Sequence, residues 1–551
     1  MDSRTNPHGH GGSTVMEAPP VRHERVAVAD EPGEPPSPPV GPRELLAVLG
    51  LVVLADLTIY RGCGFAGMAA LFSVGPILLF FGAPQRRIGI DAGVVGTMLL
   101  LLTGALLWCG AGWHLAVGAA LFIAFAMSLV GMRPGVVDLV LFACVTIVTG
   151  GAGLSKYLRS LNRVARLVPR AAWLKVVLPI VAVLGFGTLF VCANPDEAKT
   201  IGQWLERAWN VVWEHLCAFS PTAPEALLWL ATAWIAGGFL RPLLKTAVLV
   251  ERRGTTAGDD AAAESLIETP LYPALRNTLA AVIVLFAAYL AFEFQSLWFR
   301  VFPKGFYYAG YAHEGAAWLT AALALATAVL SAIFRPGVLQ DPRLPRLRKL
   351  AWFWSLENLL LAVAVYHRMY IYIGFNGMTR MRTVGLLGIS AVVVGFVLVV
   401  WKIVRGRGFV WLINRQLWTL GAAIFLYAVL PVDLLVHTYN VRRILAGDLA
   451  PSVQISVHPI HSGGILALHP LVKCENEAIR EGIKAMLAER ALRAEEIELR
   501  RATENWTSFQ LADRLLLDQL RGLNSDWSRY ADAGKRQAAL QRYRDYAYQW
   551  Y

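Results

Sequence analysis

The stretch YIGFNGMTRMRTVGLL, residues 372–387, decides how this chain is read. It closes one long apolar run and opens another, and Arg368, Arg380 and Arg382 flank the break. Asn376-Gly377 is a turn signal, because both residues tolerate positive φ. Thr379 is placed to cap the helix that follows. Arg380 and Arg382 then fall in its first turn, where the helix dipole disfavours cations. A local account therefore predicts a mild cost, offset by lipid phosphates, an acidic partner or a bound anion.

Working outward, apolar runs of similar kind recur along the whole chain. Of the 551 residues, 56% are hydrophobic and 16% charged, with a mean hydropathy of +0.48. A soluble chain of this length needs far more polar surface. Candidate spans fall at 45–60, 65–81, 94–108, 115–130, 136–149, 176–193, 226–240, 279–294, 316–334, 352–366, 384–401 and 417–435. Several in the first half are shorter than the ~20 residues a perpendicular helix needs. The predicted fold is all-α, a polytopic transmembrane helix bundle of about 11–13 spans with a small helical extramembrane C-terminal domain. Residues 1–43, rich in Pro, Gly, His and charge, are expected to be disordered and show no cleavable signal peptide. The membrane domain is expected over 44–435 and the extramembrane domain over 436–551.

The net charge of +12 is read as topology-setting loop arginines rather than a nucleic-acid surface. Segments 151–172, 241–277, 335–350 and 402–416 are rich in Lys and Arg. Segment 194–225 has only Lys199 and Arg207 against five acids, and 295–314 has only Arg300 and Lys304. Basic loops face the cytoplasm, so the chain after its last span, with the 372–387 junction, is expected on the outer face. Arg86 and Arg87 disturb the count in the first half, and the side of the N-terminus stays open. Within 194–225, apolar residues from Ile201 to Phe219 recur at helical spacing, as in a helix lying in the outer interface or packed on the bundle.

Ionisable groups inside spans are rare enough to count as candidate sites. Glu357 and Glu293 are two, with Asp56 and Asp433 in the first and last spans. Glu357 and Arg368 are about three turns apart on one helix, sharing a face but too distant to bond. Structural ion pairs and an ion, proton or substrate pathway are both open readings of these groups. The six cysteines form no C-x-x-C pair and read as core packing.

Tyr372 followed by Gly377-Met378-Thr379 and Arg382 resembles a Y-x4-G-L-T-x-x-R signature. That signature belongs to bacterial inner-membrane proteins of the domain of unknown function families 4153 and 4173, here with Met378 in place of Leu. YNVRRILAGD is similar to the family's N-x-x-R and later Asp, here Asn440, Arg443 and Asp448. ADLTIYRGCGFAGMAALF resembles its first hairpin, and the Asn-Trp pair near 505 also resembles the family. The resemblance implies a multi-pass membrane protein of the bacterial inner membrane and supplies no reaction, ligand or cofactor.

Beyond residue 436 the composition is that of a soluble chain. Helices are predicted from Cys474 to about Arg501 and from Trp506 to Leu523, and the aromatic, basic end QRYRDYAYQWY either closes a helical core or lies at headgroup level. His458, His461, His469 and Cys474 are weak zinc candidates, an H-x2-H with a later His and Cys, but their spacing matches no structural-zinc template; a polar loop packed on the membrane domain is the favoured reading, and no metal or cofactor is predicted. Walker, nucleophile-elbow, H-E-x-x-H and dinucleotide motifs are absent from the sequence. Basic segments without interleaved aromatics argue against nucleic acid and leave membrane lipids as the expected partner. Three functions remain in view. They are an envelope scaffold or sensor without enzymatic activity, a secondary transporter using Glu357 and Glu293, and a lipid-linked glycan enzyme with an outer-face arginine site. The third would combine Arg380 and Arg382 with His367, His437 or Asp433.

Overall fold

In hydrocarbon every backbone N–H and C=O must be satisfied within its own segment, so long apolar runs fold as helices. The computed structural model describes residues 40–62, 64–84, 89–167, 178–183, 221–242, 271–295, 308–334, 338, 341–501, 506–522 and 528–551, with no strand among them. The helices are α1 Pro42–Ala55 (continued by a π-helical turn, Asp56–Tyr60), α2 Phe65–Gly82, α3 Ile90–Cys109, α4 Gly112–Leu129, α5 Val136–Leu167 and α6 Ala223–Leu240. They continue with α7 Tyr272–Glu293, α8 Tyr308–Ile333, α9 Leu344–Asn376, α10 Arg380–Arg405, α11 Phe409–Val429 and α12 Val432–Leu445. After these come α13 Ser452–Val457, α14 Ser462–Leu466, α15 Glu477–Arg501, α16 Leu511–Gly522 and α17 Ala533–Ala547.

Among the described residues, nine helices are long and apolar enough to cross a membrane: α2 to α7 and α9 to α11. A shorter apolar stretch, Ala317–Ser331, lies within α8. The chain is therefore an all-α, multi-pass membrane protein whose outward side chains contact lipid. Of the expected span 176–193 only 178–183 is described, as helix. The interfacial helix expected at 201–219 and residues 1–39 lie outside the described residues.

Basic segments expected as loops are largely helical extensions. α5 continues to Leu167 through the arginine-rich stretch. α9 is 33 residues long, about 50 Å at 1.5 Å per residue, against ~30 Å of hydrocarbon. Only residues 406–408 separate α10 from α11, and Gly406 closes α10 in the left-handed region at φ +63°. The last span ends at Val429 rather than 435, because Pro431 disfavours helical geometry in the residue before it.

Two lobes make the bundle. α2, α3 and α4 share a core including Phe72, Leu99, Leu102 and Ala124, with α1, α5 and α6 packed alongside. α7 to α10 share another, including Leu279, Leu330, Trp354 and Phe396. α11 joins them, giving Leu412 to the second core and Ala428 to the first. A third core, including Leu468, Ile479, Ile483 and Tyr543, gathers residues from Val441 to Ala547. It sits against the bundle where α9 ends, with α13 on α9, α12 on α10 and α16 on α3.

Of the four acids flagged in the spans, Asp56 pairs with a near neighbour and Glu293 and Asp433 with cations on distant segments, and Glu44 is a further buried acid held in the same way. Asp56 pairs with Arg61 at 2.8 Å and accepts from Trp229 Nε1 at 3.0 Å. Glu44 is gripped by Arg241 at 2.6 and 2.8 Å and by the Tyr157 hydroxyl at 2.7 Å. Glu293, fully buried on α7, takes a two-bond fork from Arg368 of α9, both bonds at 2.6 Å, and a third bond from Tyr289 at 2.9 Å. Glu357 differs, because its Oε2 is buried without a hydrogen-bond partner. Removing one half of a buried pair strands the other charge. Arg368→Met is therefore expected to cost about 3–5 kcal/mol. The Glu293→Gln/Arg368→Met double variant should recover most of that, as read from thermal unfolding in detergent.

Candidate functional site

A helix that stops leaves its last carbonyls without partners, and α9 stops under a packed layer of protein. Two arginines from different elements meet that end. Arg443 of α12 donates from Nη1 to the Ile373 carbonyl at 2.7 Å and from Nη2 to the Gly374 carbonyl at 2.5 Å. Arg382 of α10 donates to the Gly377 carbonyl and to Asn376 Oδ1, with its guanidinium 3.7 Å over the Tyr372 ring. Cations at a helix C-terminus also meet the negative pole of its dipole.

The three residues between the helices are fixed just as tightly. Gly377 has φ +97°, and a Cβ there would lie 2.6 Å from Asn440 Oδ1 and 2.8 Å from Pro451 Cβ. Asn440, fully buried, accepts from Met378 N at 2.7 Å and donates to Met378 O at 2.9 Å, holding both backbone polar groups of one residue. Thr379 caps α10 as expected, accepting from Arg382 N at 3.2 Å. Two ion pairs complete the junction: Arg380 forks Asp433, and Arg443 binds Asp448, with Arg443 Nε at 2.9 Å from the carboxylate. Burial alone would raise the Asp433 carboxyl. Arg380 and the His461 N–H, 3.0 Å away, more than offset it and hold the group below its usual value.

Beside the Arg380–Asp433 pair lies a cavity of about 450 Å³ walled by Trp108, Trp113, Tyr427 and His461. Trp113 packs 5.1 Å from Tyr427, and His114 hydrogen-bonds the Ala428 carbonyl at 3.1 Å. His437 is only 4% exposed, and its Nδ1 has no partner. Burial pushes this imidazole down to about 4, Arg380 and His458 add to the shift, and Asp433 opposes it.

The structure thus brings together Tyr372, Gly377, Thr379, Arg382, Asn440, Arg443, Asp448 and Asp433. Glu293 and Arg368 form their own pair, and Glu357 joins neither group. Among the described residues no three His, Cys, Asp or Glu side chains gather as a metal set. Cys474 is instead buried in the third core, and His469 opens a 3₁₀ turn. The role of Asn440 as a backbone clamp had no signal in residue type alone. The aromatic cavity wall formed by Trp108, Trp113 and Tyr427 was not read from the sequence.

Asn440→Ala leaves a part-buried N–H and C=O of Met378 without these bonds, so a loss of about 1–3 kcal/mol is expected, measured by denaturant unfolding. Gly377→Ala should also destabilise, through positive φ and the clash with Asn440. Acidification is expected to loosen the junction. His437 is held neutral in the fold, so its contribution is full above its ordinary value of 6.5 and is lost as pH falls toward about 4. The loss should be on the order of 2–3 kcal/mol. The thermal midpoint at pH 7 and pH 5 reads about 2 kcal/mol of it, and His437→Gln should remove that share, leaving whatever His458 and His461, also lowered by burial, contribute.

No curated protein and no solved structure matches the chain. A family model described as Domain of unknown function (DUF4153) matches residues 66–457, from the start of α2 to the end of α13. That span covers well over half of the sequence and contains the junction residues from Tyr372 to Asp448, so the chain belongs to the DUF4153 family.

Proposed function

We propose that the protein is a non-enzymatic envelope scaffold or sensor of the bacterial inner membrane. Its membrane bundle carries residues 436–551 as an extramembrane helical domain on the outer, periplasmic face. The basic helix ends around Arg343–Lys349 and Lys402–Arg407 support a cytoplasmic placement for the opposite side. One observation carries the reading: the polar side chains of the junction bind other parts of the chain. Arg380 holds Asp433, Arg443 holds Asp448 and α9, and Asn440 holds Met378. Such a junction transmits the position of the outer domain to α9 and α10.

A transport reading looks for a polar cavity reaching Glu357 or Glu293; among the described residues, neither lines the three cavities of about 450, 280 and 540 Å³. A second reading has one observation in its favour. The 450 Å³ cavity places aromatic walls beside Arg380, Asp433 and His461, a surface suited to a sugar-bearing lipid. Asp433, already gripped by Arg380, is poorly placed as a base there.

Complementation of a deletion strain separates the readings. Glu357→Gln is expected to support growth under envelope stress as wild type does. Asn440→Ala, which frees the outer domain to proteolysis, is expected to fail. An inactive but folded Glu357→Gln alongside an active Asn440→Ala would sink the scaffold reading and favour transport.

A further inference from the structure

We infer that the groove between α8, α9 and α10 binds an anionic phospholipid, its phosphate against Arg382 and an acyl chain along α10. Charge is the first reason. Three guanidinium groups hold the junction and two carboxylates answer them, Asp433 for Arg380 and Asp448 for Arg443. Arg382 is 4% exposed and bonds neutral acceptors, the Gly377 carbonyl and Asn376 Oδ1. Its Nε is buried without a hydrogen-bond partner. The end of α9 supplies about half a negative charge. Tyr372 adds a ring face 3.7 Å away, but no ion pair to a carboxylate joins Arg382 among the described residues, an unfavourable state for a buried cation.

Shape is the second reason. The Arg382 side chain borders a cavity of about 280 Å³, several times the ~30 Å³ of a water. Tyr372 and Thr379 line the same cavity, and Thr379 marks the N-terminus of the 26-residue α10, where first-turn N–H groups favour anions. Away from the charge the lining becomes apolar: Met369, Gly385, Gly388 and Ile389. Arg382, Gly385 and Ile389 follow at i, i+3 and i+7, one helix face about 10 Å long. A Cβ on Gly388 would meet nothing within 4 Å, so the trough is open there. One charged end with an apolar trough along a membrane helix fits a phosphate carried on a lipid better than a free phosphate.

The test titrates the purified full-length protein in detergent with phosphatidylglycerol, phosphatidylcholine or inorganic phosphate and reads the thermal midpoint. Phosphatidylglycerol is expected to raise it, phosphatidylcholine to do so much less, and inorganic phosphate not at all. Arg382→Gln should weaken the phosphatidylglycerol response about tenfold. Because Arg382 also caps α9, Gly388→Leu is the second variant. It fills the trough, touches no junction bond, and should keep the lipid-free midpoint while weakening the response about tenfold. A response unchanged in both variants, or equal for phosphatidylcholine, overturns the site. Stabilisation by inorganic phosphate that Arg382→Gln abolishes and Gly388→Leu spares overturns the lipid and assigns a free anion instead.

Discussion

The carbonyls at the end of α9 are the constraint on which the rest of the junction depends. A helix that ends against packed protein needs protein donors for its last acceptors. Arg443 and Arg382 reach them from α12 and α10, and each reach fixes an element. Arg443 sets where α12 lies across the bundle. Arg382 sets how tightly α10 folds back, which in turn requires Gly377 at positive φ and the Met378 peptide on Asn440. The helices after α12 are therefore not an independent appendage. Residues 41–551 separate as one compact unit, and Tyr543 of α17 still bonds the Ser452 carbonyl beside this turn at 3.0 Å.

The buried ion pairs act on a larger scale in the same manner. Glu44–Arg241 ties α1 to the end of α6, Asp56–Arg61–Glu225 ties the same two helices at their other ends, and Glu293–Arg368 ties α7 to α9. Desolvation takes back much of what each pair gains, so net stability is a weak reason for having them. Specificity is a better one. An apolar helix surface accepts many rotations and shifts against its neighbour, whereas a two-bond fork with Tyr289 as third donor accepts one. Hydrophobic burial gathers these helices, and the charged pairs choose their register.

The spans and the decisive turn were legible in the sequence because each has a strong local cause. Long apolar runs, Asn376-Gly377 and Thr379 all act within a few residues of themselves. Partner choice was not legible, since it depends on contacts far apart in the chain. Arg368 lies three turns from Glu357 on its own helix, yet its acid is Glu293, 75 positions away. Helix ends were misread wherever Lys and Arg were taken as loop markers. Charged residues are good helix formers, so α5 and α9 continue through their basic segments. The pairing of Asn440 with Met378 was beyond sequence reading, because backbone acceptors are the same at every position.

The arginines at the start of α10 answer to two helices at once. Arg380 and Arg382 stand in its first turn, where its dipole opposes them. With only three residues between the helices, the negative pole of α9 lies beside the positive pole of α10. A guanidinium that reaches back five or six residues leaves the unfavourable field and enters the favourable one. Lysine would reach as far but could not replace it. The planar fork of Arg382 meets two acceptors in different directions while its face lies on Tyr372, a geometry a single ammonium cannot share. Tyr372, Gly377, Thr379 and Arg382 thus form one device: a ring to stack on, a glycine to turn, a hydroxyl to cap and a guanidinium to close the helix behind it.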